Sequence, residues 1–147
     1  MITSDYLLQV LPELEEFNVP NLESHIHLTE GFDGVIALLE NIRTGEFPCV
    51  IIEDKTIGNI SIDDGPLDTY SIPLWIMLQD VNMTPSELFR AAFELLKKII
   101  KLLIRDNERE LLDGLDCSRM SYNKRFAADA YGYEVLLTFR KNIDLAL

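Results

Sequence analysis

The stretch TPSELFRAAFELLKKIIKLLIR, residues 84–105, decides the fold. Thr84 is placed to cap a helix, Pro85 suits its first position, and Glu87 completes a capping box. The spacing predicts a helix from Pro85 to about Arg105, extending at most to Asp113. Glu87, Arg90, Glu94, Lys97, Lys98, Lys101 and Arg105 form one polar stripe. Leu88, Ala92, Leu95, Leu96, Ile99 and Leu103 form the opposite, apolar one. Phe89, Phe93, Ile100 and Ile104 widen that apolar surface beyond what one sheet usually covers. The helix therefore needs two neighbours: a sheet, and either the N-terminal helices or another subunit.

Working outward, the pattern on both sides has period 2. Upstream, Cys49 to Glu53 is a short apolar, β-branched run that reads as a buried strand, and Ile57 to Ile62 alternates. Asp63-Asp64-Gly65-Pro66 is turn chemistry. Thr69 to Gln79 reads as a longer strand, with Tyr70, Ile72, Leu74, Ile76 and Leu78 on one face. Pro73 cannot donate to a ladder, so it points to an edge or a bulge. These three strands read as a meander. Downstream, Cys117 to Tyr122 fits a short strand. Tyr131, Tyr133, Val135, Leu137 and Phe139 alternate through a final one. Residues 124–130 read as a loop or short turn.

The N-terminal third is helical in pattern. Ser4 and Asp5 can start a helix carrying Tyr6, Leu7, Val10 and Leu11, and Pro12 should kink it or begin a new turn. Residues 18–28 read as an irregular connector. Thr29 fits as the cap of a helix from Glu30 to Arg43, with Val35, Leu38, Leu39 and Ile42 at helical spacing and Gly45 as its stop. The expected fold is α+β: one domain over residues 1–147, with a mainly antiparallel sheet of about four to five strands packed against the long helix. Residues 1–28 form an N-terminal helical extension and residues 29–142 the core.

Composition limits the function. The 147 residues carry a net charge of −12. Residues 1–70 hold fourteen acids and two basic groups, so they account for the whole excess, while residues 71–147 are neutral. Such a surface repels free nucleic acid and anionic membrane at long range, which argues against specific nucleic-acid binding. It suits solubility, and it also suits a surface along which DNA passes without sticking. No apolar run is long enough to span a membrane, and Met1 to Glu16 has no basic leader, so the expected location is the cytoplasm of the producing cell.

The candidate chemistry is sparse. Cys49 and Cys117 make neither a disulfide framework nor a zinc site, and read as small buried hydrophobes. His25 and His27 are the weak metal candidates. Spaced i, i+2 on an extended segment they can share a metal, but no third ligand is evident, and exposed loop histidines are the plainer reading. Asp63, Asp64 and Asp68 lack calcium-loop spacing. The Glu53-Asp54 pair reads as the end of a strand. There is no nucleophile elbow, phosphate loop or dinucleotide fingerprint, so neither an enzyme nor a cofactor is expected.

Arg90, Lys97, Lys98, Lys101 and Arg105, which Lys124 and Arg125 could extend, are the candidate interface. In a ring of identical subunits the acidic half of one copy can meet the basic helix of the next.

From Glu30 to Asn142 the chain resembles the tail-terminator and tail-completion proteins of bacteriophages and prophages. The resemblance lies in the order of segments. A helix bearing Val35-Ile36-Ala37-Leu38-Leu39 is followed by Pro48-Cys49-Val50-Ile51-Ile52-Glu53-Asp54 and the strand Tyr70 to Gln79. The helix Pro85 to Arg105 comes next, then Tyr131-Gly132-Tyr133-Glu134-Val135-Leu136-Leu137-Thr138-Phe139. It implies a structural protein that caps the tail tube and joins it to the head connector. Such rings are commonly hexameric, meet other phage structural proteins, enter the virion and pass DNA through a central hole. It carries no residue motif. A non-enzymatic protein-binding or regulatory adaptor is the alternative, and a small metal-dependent hydrolase a third.

Overall fold

The computed structural model describes residues 3–29, 31–53, 57–61, 67–109, 115–122 and 130–142. The chain starts with helix α1 (Ser4–Val10), whose cap is Thr3: its side chain accepts from the Tyr6 amide at 3.1 Å. Pro12 sits in the following 3-10 turn, Leu11–Glu13, and a second turn covers Glu15–Phe17. Strand β1 (Ile26–Thr29) follows, then helix α2 (Gly31–Asn41) and strand β2 (Cys49–Glu53). Strands β3 (Ile57–Ser61) and β4 (Leu67–Leu78) lead to helix α3 (Pro85–Glu108). Strands β5 (Leu115–Tyr122) and β6 (Tyr131–Asn142) complete the order.

The six strands form one mixed sheet in the order β1-β2-β4-β6-β5, with β3 paired to β4. Four of its five pairings are antiparallel. The exception is β1, which runs parallel to β2 and is joined to it through α2. A parallel pair needs such a crossover, and here the helix supplies it. This corrects the reading of residues 18–28 as a wholly irregular connector. Thr29 ends a strand, and α2 begins two residues later.

The meander is also corrected. The strands β2 and β3 both pair with β4, β2 along Leu74–Met77 and β3 along Leu67–Ser71. Since β6 runs along β4 from Leu67 to Leu78, the two short strands lie end to end on the other edge. Pro73 falls in the break between them, where a residue without an N–H is accommodated inside a central strand.

Helices cover both faces. On one face Val50, Ile52, Ile72, Leu74, Ile76, Val135 and Leu137 form a single core with α3 and α1. The α3 contribution is the predicted stripe Leu88, Ala92, Leu95, Leu96, Ile99 and Leu103, all buried. Leu7, Val10, Leu11 and Phe17 cover its other flank, so the second neighbour of this helix is the N-terminal segment of the same chain. Phe89 meets Tyr131 and Tyr133 edge-on, at 5.4 and 6.0 Å between ring centroids. On the opposite face α2 sets Val35 and Leu39 over Cys49, Ile51, Trp75 and Met77.

The capping box of α3 forms as its sequence requires. The Thr84 hydroxyl accepts from the Glu87 amide at 3.2 Å, and the Glu87 carboxylate accepts from the Thr84 amide at 3.4 Å. The helix runs a turn beyond Arg105 and carries one buried acid there, Asp106, at 2% exposure.

Candidate functional site

The polar stripe of α3 divides into two sets. Lys98 is ion-paired with Glu16, and Arg105 grips Glu13 through both terminal nitrogens, at 2.9 and 2.7 Å. Arg105 also donates to Asp106 at 3.0 Å, and the Tyr6 hydroxyl donates to the other Asp106 oxygen at 2.5 Å. These bonds tie α1 and the turns after it to the last three turns of α3. Burial pushes the Asp106 carboxyl up, but the Tyr6 hydroxyl and the Arg105 guanidinium together hold it below the usual range. Burial and the Asp106 carboxylate push the Tyr6 phenol well above its ordinary value. Part of the electrical complementarity between the two halves of the sequence is therefore satisfied within one chain. The sequence showed the basic stripe but not Asp106, whose only signal was an acid falling on the apolar side of the helix.

Lys97 bonds Glu94 at 2.8 Å and lies 5.1 Å from the centre of the Phe93 ring. Arg90 and Lys101 are exposed, and neither is in an ion pair among the described residues. Of the five candidate interface residues, these two are uncommitted.

A second polar group lies on the α2 side of the sheet. The Trp75 indole donates to Glu53 at 3.1 Å, and Glu53 is only 9% exposed. Glu134 stands opposite Trp75 on β6. Burial and the charge of Glu53 hold its carboxyl above the usual carboxylate range. Around it Ser71, Pro73, Leu136 and Thr138 are only half-buried, while Trp75 and Met77 nearby are sealed by α2. Glu53 was expected as a simple strand end; its burial and its indole partner were not legible.

The histidines are not exposed loop residues. His25 is buried, with Nδ1 at 2.9 Å from the Pro48 carbonyl, and His27 lies on β1. Among the described residues, His27 Nε2 and Thr29 Oγ1 are buried without a hydrogen-bond partner. Among the described residues no three His, Cys, Asp or Glu side chains come together as a metal site. Burial pushes the His27 imidazole below its ordinary value, which outweighs the opposing pull of the Ser24 backbone and Glu46. The folded state thus prefers neutral His27, while the unfolded chain takes up its proton near pH 6.5. Stability contributed by His27 is present above that pH and is lost as pH falls through and below it. Between pH 7.5 and 5.5 this is at most about 1.4 kcal/mol. Urea midpoints at the two pH values should diverge in the native protein, and His27→Gln should narrow the gap; an equal gap in both would rule the residue out.

Cys49 is buried, and burial pushes its thiol far above the ordinary range, which suits a core residue. Cys117 lies in β5 and Asp68 in β4. Asp63, Asp64, Lys124 and Arg125 lie outside the described residues.

Two clefts open at the ends of α3. One, of about 370 Å³, lies at its start, between Met83, Pro85, Leu88 and Tyr131, and Val81 stands beside it at 92% exposure. The other, of about 380 Å³, is walled by Tyr6, Glu13, Arg105 and Asp106, the groups already bonded to one another. No described helix is long and apolar enough to cross a membrane. No family model and no curated protein matches this chain.

Proposed function

We propose that this chain is a structural subunit of a phage-like tail, closing the tail tube and joining it to the head connector as a ring of identical copies. The observation that carries this reading is the order α2, β2, β4, α3, β6 within residues 31–142, the elements on whose order the resemblance rests. Two features of the surface support it. The acidic excess of the first half suits a surface past which DNA moves, and α3 keeps uncommitted basic groups that a neighbouring copy can use. The producing cell's cytoplasm is where such a subunit is made, and the virion is where it ends.

Sedimentation velocity across a concentration series tests this. The expected result is a concentration-dependent shift from monomer to one discrete higher species. A strict monomer up to high micromolar concentration would contradict it.

The cleft at the start of α3, with Val81 exposed beside it, favours a second reading: a protein-binding adaptor that takes an apolar side chain of a partner there. That reading expects a monomer that binds one partner and loses it on Val81→Asp.

A further inference from the structure

We infer that the half-covered sheet face around Glu134 is the seat for the α3 polar stripe of a second copy, with Arg90 and Lys101 of that copy meeting the carboxylates of Glu134 and Glu53. The inference rests on the ring reading and names the contact that would build it.

The argument starts from what is left unpaired. Glu134 is a half-buried carboxylate beside a second, more deeply buried one, and no described cation pairs with it. A half-buried carboxylate that has a second acid on the same face is stabilised by a cation brought close to it. Glu53 and Glu134 lie on β2 and β6, on either side of β4 and two residues apart along it, so strand geometry sets their backbones roughly 12 Å apart. The polar neighbours Ser71 and Thr138 bond to each other at 3.2 Å, and Pro73 and Leu136 add apolar area. The patch is thus part greasy and part acidic.

The complementary surface lies on α3. Arg90 and Lys101 are eleven residues apart, three helical turns, so they lie on one stripe about 16 Å long. Lys97 between them is engaged with Glu94 and Phe93 and stays part of its own chain's surface. Two long basic side chains so spaced can converge on carboxylates whose backbones are roughly 12 Å apart.

One chain cannot make this contact with itself. Helix α3 packs on the sheet face that carries Ile72, Leu74, Ile76 and Val135, while Trp75 and Glu134 belong to the other face. Sheet and helix surfaces of one copy therefore point to opposite sides of the subunit. Two different patches meeting head to tail make a heterologous contact, which closes into a ring when its rotation allows.

Charge exchange tests the contact. The native protein, the helix variant Arg90→Glu/Lys101→Glu and the sheet variant Glu134→Arg are compared by sedimentation velocity, alone and mixed, with circular dichroism as the fold check. Each variant alone should assemble at least about tenfold more weakly than the native protein. An equimolar mixture should associate more strongly than either variant alone, because the sheet patch of the helix variant and the helix of the sheet variant are both native and form the contact. Should Glu134→Arg fail to fold, Glu134→Gln serves in its place and should weaken assembly without abolishing it.

If the native protein assembles and the variants assemble equally well, this contact is wrong and the ring reading stands. If the native protein stays monomeric, the ring reading falls, and the contact with it. Dissociation by a chelator, with the helix variant unaffected, would show a metal ion at the carboxylates and would overturn the proposal.

Discussion

Trp75→Ala should cost this fold about 3–5 kcal/mol from the lost side chain alone. Trp75 is 1% exposed and is the largest side chain sealed in the molecule. It stands in the second half of β4, between β2 and β6, where α2 closes over it. Removing it leaves a cavity that the surrounding strands cannot collapse into, because β4 is held on both edges. A second loss follows, since Glu53 gives up its indole donor. A buried acceptor left without its partner costs about 1–3 kcal/mol. Trp75→Phe separates the two terms. It keeps most of the volume and loses the bond, so it should fall in the smaller range. Urea unfolding of the three proteins measures both; a Trp75→Ala midpoint close to native would place Trp75 outside the core.

Gly132→Ala should be nearly as damaging, for a different reason. A Cβ built on Gly132 would lie 1.7 Å from the Ile76 carbonyl oxygen, which is backbone and cannot swing aside. Gly132 faces Met77 across the β4–β6 ladder, the longest in the sheet, with twelve residue pairs. Overpacking usually costs about 1–3 kcal/mol and occasionally more. Alanine's lower unfolded-state entropy returns only about 0.5–1 kcal/mol. The clash dominates, and the net loss should reach about 2 kcal/mol or more. Glycine inside a strand marks the close approach of another backbone, and this glycine does so directly. An unchanged midpoint in Gly132→Ala would mean that β4 and β6 do not pair in this register.

These two positions show where the sequence was legible. The pattern of α3 was complete in itself: cap, proline, capping box and two clean stripes, and every residue of its apolar stripe is buried. The alternation of the last strand was equally plain. Strand β1 was missed because its four residues, Ile26–Thr29, are too short to show a period against a polar surrounding. Two clues pointed to it. Ile26 and Leu28 alternate with His27 and Thr29, and β2 is buried at all five of its positions. A strand buried on both faces needs helices on both faces, and strands of that kind are common in parallel pairs. Read that way, the helix ending before Gly45 could already have been placed as a crossover.

The candidate site was legible only as charge. The basic stripe of α3 was visible, as was the acidic excess of the first seventy residues. Which acids would meet which bases depends on tertiary placement. Glu13 and Glu16 reach α3 only because Leu7, Leu11 and Phe17 dock the N-terminal segment on it. That docking commits Lys98 and Arg105 and leaves Arg90 and Lys101 free of ion pairs among the described residues. Glu134 read as the polar side of an alternating strand. Its half-burial, opposite Trp75 and near Glu53, depends on how the strands pair, which no local pattern reveals.

Images of the purified native protein in negative stain test the central claim most directly. The account predicts closed rings of identical subunits around a central hole, lost in Arg90→Glu/Lys101→Glu. A field of single particles the size of one 16.8 kDa chain, at concentrations where other ring proteins assemble, would contradict it.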